Sequence, residues 1–147
     1  MTTPVERFVD TNVLLTATAP ARAGHRSALS LLESGFAERS LFLSGQVLRE
    51  YIVVATRPAA GNGLGLATDR AMGNARQFLA RANFLPEDGS VRDALFRLLE
   101  VVPCAGKQVH DANIVATMVA HRVGVLVTLN PRDFERFSES IRVAGLD

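Results

Sequence analysis

Residues 123–128, which read VGVLVT, narrow the choice of fold more than any other part of the sequence. An unbroken apolar run of this length is typical of a strand covered on both faces, as in a parallel sheet. Shorter β-prone runs occur at residues 5–9, 41–44, 83–85 and 141–143. The last of these is predicted to be an edge strand. The sequence therefore predicts a sheet with at least one fully buried strand.

Segments with helical periodicity lie between these strands. Apolar residues recur at helical spacing in residues 22–38, 45–55, 69–81, 91–101 and 109–120. Strands that alternate with helices predict an α/β fold, a three-layer sandwich in which helices flank a central parallel sheet. Ligands of such folds bind at the carboxyl ends of the strands, so polar residues at those ends are candidates for function.

Length and composition exclude several classes of protein. The 147 residues suit a single domain that spans residues 1–147, and 48% of them are hydrophobic. The single cysteine, Cys104, excludes an internal disulfide framework and a cysteine-rich zinc module. The N-terminal residues do not resemble a secretory signal, and no run is long and apolar enough to span a bilayer. We therefore expect a soluble, cytoplasmic protein that has no membrane partner.

Two aspartates follow predicted strands. Asp10 comes directly after the first strand, and Asp133 follows the buried strand through the segment NPRD at residues 130–133. Each has an alternative explanation, because Asp10 can cap the next helix and residues 130–133 resemble a capped helix start with Pro131 in its first position. Both are nevertheless predicted to lie at the same edge of the sheet.

Two further carboxylates lie on apolar helix faces. Glu50 shares a helical face with Val47, Tyr51 and Val54, although an edge position that reaches water would also explain it. Asp111 lies on the stripe formed by residues 114, 115, 118 and 119, where an uncompensated carboxylate costs several kcal/mol. The alternative explanation for Asp111 is compensation by the helix N-terminus.

Together, these four acids predict a metal site. Carboxylates packed at one sheet edge raise one another's pKa, and a divalent cation removes that conflict. Oxygen ligands select hard ions, so we expect Mg²⁺, with Mn²⁺ as the alternative, and not zinc.

Four short motifs, in order along essentially the whole chain, are similar to those of one family. They are FVDTNV at 8–13, VLREY at 47–51 followed by ATRP at 55–58, GKQVHDA at 106–112, and LVTLNPRDF at 126–134. In these motifs the sequence resembles the PIN-domain ribonucleases, and specifically the VapC-type toxins of bacterial toxin–antitoxin pairs.

The resemblance implies both a site and partners. It implies that Asp10, Glu50, Asp111 and Asp133 form an acidic catalytic pocket and that Asp10 and Asp111 bind the metal most directly. It also implies an RNA substrate, a cognate antitoxin protein as partner and self-association as a homodimer.

The same residues suggest a mechanism. A metal held by Asp10 and Asp111 can activate water to attack a phosphodiester, and either Glu50 or Asp133 then positions the water or a second ion. Candidate hydrogen-bond donors to the carboxylates are Thr11, Asn12, Thr128 and Asn130. Candidates for contacts to substrate phosphates are Arg57 and Lys107, for which ordinary surface charge is the alternative.

The sequence also offers two alternative functions. An aspartyl phosphatase usually needs a second aspartate two residues after the first, and that position is Asn12. A metal-stabilised module of the same fold that binds protein or RNA without catalysis remains the alternative to the nuclease, and metal-dependent cleavage distinguishes the two.

Overall fold

A five-stranded, entirely parallel sheet forms the centre of the computed structural model, which describes residues 2–147. Its strands are β1 (Arg7–Val9), β2 (Leu41–Ser44), β3 (Asn83–Leu85), β4 (Val125–Val127) and β5 (Arg142–Ala144). The helices are α1 (Thr11–Thr18), α2 (His25–Ala37), α3 (Gly45–Thr56), α4 (Thr68–Arg81), α5 (Gly89–Val101) and α6 (Gln108–Ala120). Two 3₁₀ segments cover Ala59–Gly61 and Pro131–Phe137. The predicted α/β sandwich with a central parallel sheet is confirmed.

The strand order β3-β2-β1-β4-β5 places the start of the chain in the middle of the sheet. β1 pairs with β2 on one side and with β4 on the other, and Phe8 and Leu126 are fully buried between the helical layers. The chain first adds strands on one side of β1 and then on the opposite side. In open parallel sheets, such a reversal leaves a crevice at the carboxyl ends of the two strands concerned. In this sheet the reversal lies between β1 and β4, so the carboxyl ends of these two strands are the expected place for a site.

The ends of several elements differ from the sequence-based expectation. β1 begins at Arg7 and not at residue 5, β4 covers Val125–Val127 within the predicted 123–128, and β5 lies one residue later than predicted. α2 begins at His25 and not at residue 22, because Gly24 has a left-handed φ of 84° that a helix does not continue through. The longest helix, α4, has 14 residues. Within residues 2–147, no helix has both the length and the apolar character required to cross a membrane.

A glycine on α2 allows this helix to pack against the sheet. A Cβ atom at Gly35 would overlap Leu41 Cγ and lie 2.8 Å from Leu41 Cδ2, whereas one at Gly73 on α4 would meet nothing within 4 Å. We expect Gly35→Ala to lower the free energy of unfolding by about 2 kcal/mol through overpacking. We expect Gly73→Ala to raise it by about 0.5–1 kcal/mol through helix propensity. Urea denaturation of both variants tests this, and equal effects would contradict the described packing of α2 on β2.

Candidate active site

Asp10 directly follows β1, at the carboxyl end of the strand, and accepts hydrogen bonds on both of its carboxylate oxygens. It is the N-cap of α1, and its Oδ1 accepts a hydrogen bond from Thr11 N at 2.8 Å. Its Oδ2 accepts from Thr128 Oγ1 at 2.8 Å and from Asn12 Nδ2 at 3.4 Å. Helix capping therefore accounts for one oxygen only. The second oxygen is bound by a hydroxyl that follows the neighbouring strand β4.

The surroundings of Asp10 disfavour its charge. The side chain is buried, and burial is the largest influence that raises its pKa above the ordinary value of 3.8. The hydrogen bonds from Thr128 and Thr11 lower the pKa, while the negative charges of Glu50 and Asp133 raise it further. A partly desolvated carboxylate near two other acids is a suitable place for a cation.

Asp111 lies in the first turn of α6 and is half-buried. Burial, followed by the charges of Asp133, Asp10 and Glu50, raises the pKa of Asp111 from 3.8 to about 6. The Arg136 guanidinium acts in the opposite direction and lowers it. Because three acids from other elements act on this one carboxyl group, the structure brings together the four acids that the sequence singled out.

The apolar stripe predicted beside Asp111 is only partly correct. Ile114, Val115 and Met118 are buried, but Val119 is 46% exposed. Asp111 lies in the first turn of α6, at the N-terminal end of its buried face. This position leaves its carboxylate within the influence of the other three acids, while the following turns of the helix pack in the core.

Glu50 lies one turn into α3, which starts directly after β2. Its Oε2 accepts from Thr11 Oγ1 at 3.1 Å, and its Oε1 accepts from Gln46 Nε2 at 3.0 Å. Both oxygens of this carboxylate are therefore held by neutral donors, one on α1 and one on α3 itself. The predicted apolar face is present, since Val47 and Tyr51 are fully buried.

Asp133 occupies a more open position. It is exposed in the first turn of the 3₁₀ segment after β4, with Pro131 at the start as the sequence indicates. The Asn130 side chain makes no capping hydrogen bond, and instead Asp133 N donates to the Asn130 carbonyl at 3.1 Å. The Asp133 carboxylate therefore takes no part in capping. Its negative charge raises the pKa of Asp10 and of Asp111.

Three of the four predicted donors contact the acids. Thr11 bonds Glu50, while Asn12 and Thr128 bond Asp10. Asn130 differs, because it makes no hydrogen bond to a carboxylate, and its backbone N donates to Thr128 Oγ1 at 3.1 Å. Asn130 therefore contacts Thr128, which in turn contacts the Asp10 carboxylate.

The two predicted phosphate contacts stay predictions. Arg57 is the exposed C-cap of α3, and Lys107 is the exposed residue that precedes α6. Lys107 lies beside the turn that carries Asp111. Arg57 lies seven residues beyond Glu50, about 10 Å further along the helix axis.

Sequence reasoning missed several polar residues around the acids. Gln46, Asn113 and Glu87 form a hydrogen-bonded group beside Glu50, and Arg136 lies close enough to Asp111 to lower its pKa. A glutamine four residues before Glu50 and an asparagine two residues after Asp111 were available signals, because both flank predicted acids on their helices. Glu87 gave no such signal, because it lies in the loop after β3 and meets the others only in the folded chain.

The acids suit a hard cation that keeps much of its water. In the part of the chain that the structure describes, residues 2–147, no group of three His, Cys, Asp or Glu side chains is arranged to hold a metal ion. Mg²⁺ in proteins is often bound by only one or two carboxylates, with water and substrate phosphate completing its shell. Asp10 and Asp111 fit that donor set in chemistry and in charge.

Comparison with known proteins identifies the family. A model of the PIN domain matches residues 7–140, which covers the sheet core, all six helices and the four acids. The chain belongs to the PIN-domain family. No curated protein sequence matches this PIN domain at a significant level.

Solved structures with this fold include chains from toxin–antitoxin complexes. VapBC2 from Rickettsia felis, bound to a fragment of promoter DNA, is similar with a TM-score of 0.71 at 18% identity, over 97% of this chain and 100% of that one. DNA-bound VapBC from Salmonella typhimurium gives 0.70 at 22% identity, over 98% and 100%. VapC20 from Mycobacterium tuberculosis, described as a toxin that cleaves the sarcin–ricin loop, gives 0.66 at 16% identity, over 92% and 96%. The fold of this PIN domain is thus the VapC-type fold.

Proposed function

We propose that this protein is a metal-dependent endoribonuclease that acts as the toxin of a toxin–antitoxin pair. The observation that carries the proposal is the convergence of Asp10, Glu50 and Asp133 on Asp111, whose pKa they raise together with burial to about 6. Perturbed carboxyl groups at the switch point of a parallel sheet are characteristic of a functional site. The PIN family and the VapC-type neighbours support nuclease chemistry for such a site.

Asp10 and Asp111 are the residues that would hold Mg²⁺ or Mn²⁺. When bound, the ion lowers the pKa of a coordinated water and screens the negative charge of the transition state. Asp10 is held in place for this role by Thr128 and by the Thr11 amide, so its carboxylate needs no rearrangement. Asp111 is largely ionised at pH 7, because its pKa of about 6 lies below that pH.

Glu50 and Asp133 are candidates to orient the attacking water. Glu50 is held rigidly by two donors, which suits a residue that must present an oxygen at a fixed position. Asp133 is exposed, which suits a residue that reaches water or a second ion. Arg136 places a positive charge near Asp111 and is a candidate to contact the scissile phosphate.

The partners in the proposal follow from the same neighbours. Several similar structures are toxin–antitoxin complexes, which supports an antitoxin protein as the partner of this chain. We propose RNA as the substrate and a homodimer as the active assembly. A cytoplasmic location is consistent with both.

A cleavage assay with metal exchange tests the proposal. Purified protein is incubated with RNA in Mg²⁺, in Mn²⁺ or in EDTA, using a pool of structured RNAs that includes ribosomal RNA. We expect cleavage in both metals, its loss in EDTA, and products with 5′-phosphate ends, because water is the nucleophile. Cyclic-phosphate ends would instead show that a 2′-hydroxyl attacks, and would contradict the mechanism.

The non-catalytic binding module is distinguished by the same samples. If Mn²⁺ binds with measurable heat in calorimetry but none of the RNAs is cut, the metal-stabilised module becomes the better account. If neither binding nor cleavage occurs, both accounts are wrong about the role of the acids.

A further inference from the structure

The side-chain amide of Gln46 connects one of the four acids, Glu50, to the helical turn that carries another, Asp111. Gln46 is only 3% exposed, and its Nε2 donates to Glu50 Oε1 at 3.0 Å and to the His110 carbonyl at 2.9 Å. Its Oε1 accepts from Asn113 Nδ2 at 2.7 Å. Both amide hydrogens and the amide oxygen are thus used. A buried polar group that is fully satisfied has one preferred orientation.

Asn113 and Glu87 determine which way the Gln46 amide faces. Asn113 Nδ2 donates to Gln46 Oε1 and also to Glu87 Oε1 at 2.6 Å. Glu87 Oε2 accepts from the Gln46 backbone N at 3.1 Å. Because Asn113 presents hydrogens, the oxygen of Gln46 must face it. The nitrogen of Gln46 is then directed at Glu50 and His110.

The contact with His110 extends this arrangement to Asp111. The two residues are consecutive in the first turn of α6, so the carbonyl that Gln46 binds lies one peptide before Asp111. Gln46 therefore links the Glu50 carboxylate on α3 to the turn that carries Asp111. Gln46 and Thr11 each donate to one oxygen of Glu50, and together they restrict rotation of its carboxylate.

We propose that Gln46 is a positioning residue that fixes the Glu50 carboxylate relative to Asp111; this rests on the proposed function. A purely structural contact between α3 and α6 does not require an amide, because apolar side chains of similar size fill a buried contact without polar groups that need partners. Glutamine supplies two hydrogens and no net charge. It can thus orient Glu50 among several acids without pairing with them as a cation would.

Kinetics of Gln46→Met test this role, with Gln77→Met on the exposed face of α4 as the matched control. We expect the control to cut RNA like the wild type, and Gln46→Met to lower kcat about 10- to 100-fold while KM changes less than about threefold. In a Glu50→Gln background, Gln46→Met should lower kcat by less than about twofold more, since it acts through Glu50. Losses that multiply independently in the double variant would overturn the proposal.

A second measurement does not depend on activity. We expect the Gln46 Nε2 hydrogens to exchange with solvent at least about 10-fold more slowly than those of Gln77 in NMR, and Glu50→Ala to remove most of that protection. If the wild type cuts no RNA but Glu50→Ala removes the protection, the proposed function is contradicted and the positioning of Glu50 by Gln46 is supported. An unprotected amide in the wild type, or protection that Glu50→Ala leaves unchanged, would overturn the inference.

Discussion

Asp10→Asn is expected to reduce RNA cleavage by about 1,000-fold or more, because it removes a negative charge from the proposed metal site. The fold should survive, since Asn retains the Oδ1 acceptor that caps the Thr11 amide. Single-turnover cleavage and circular dichroism measure the two effects separately.

Asp69→Asn is the matched control for Asp10→Asn. Asp69 also accepts a hydrogen bond at 2.8 Å from the backbone N of the next residue, but it is exposed in the first turn of α4. It should cut RNA like the wild type. Near-normal cleavage by folded Asp10→Asn would show that Asp10 takes no part in catalysis, whatever the control shows.

Mg²⁺ is expected to stabilise the wild type strongly and in a pH-dependent manner. At pH 8 and a Mg²⁺ concentration about 100 times Kd, the gain in unfolding free energy should be about 2.7 kcal/mol. At pH 5, Asp111, with its pKa of about 6, is mostly protonated. Proton competition then weakens binding about 10-fold, which reduces the gain to about 1.4 kcal/mol.

The metal-free protein should show the opposite pH trend. Because folding raises the pKa of Asp111, its favourable contribution to stability is complete below 3.8 and is lost as the pH rises through about 6. Asn at position 111 carries no charge at pH 8, so Asp111→Asn should have a higher free energy of unfolding than the wild type at that pH without metal. Urea titrations at both pH values provide the check.

Equal Mg²⁺ stabilisation at pH 5 and pH 8 would show that Asp111 is not a ligand.

The fold and the positions of the acids follow largely from local sequence. The apolar run that contains β4 predicts a buried strand, and a parallel sheet then fixes which end of β1 carries Asp10. The position of Asp111 on the apolar side of α6 follows from helical periodicity. These signals depend on residues close together in the chain, which is why they predict the site's location.

The details that sequence could not predict depend on contacts between distant segments. Glu87 and Gln46 are 41 residues apart, and their hydrogen bond requires the loop after β3 to meet the start of α3. The exposure of Val119 depends on which elements cover α6, and not on its own spacing. The late start of α2 arises from the left-handed backbone at Gly24, and glycine alone in a sequence does not specify its φ.

The most direct test of the account compares RNA cleavage by the wild type and by Asp111→Asn, each in Mg²⁺ and in EDTA. We expect cleavage only by the wild type in Mg²⁺, with the variant folded and about 1,000-fold or more slower. A folded Asp111→Asn protein that cuts RNA at the wild-type rate, or wild-type cleavage that persists in EDTA, would contradict the proposal that these acids form a metal-dependent ribonuclease site.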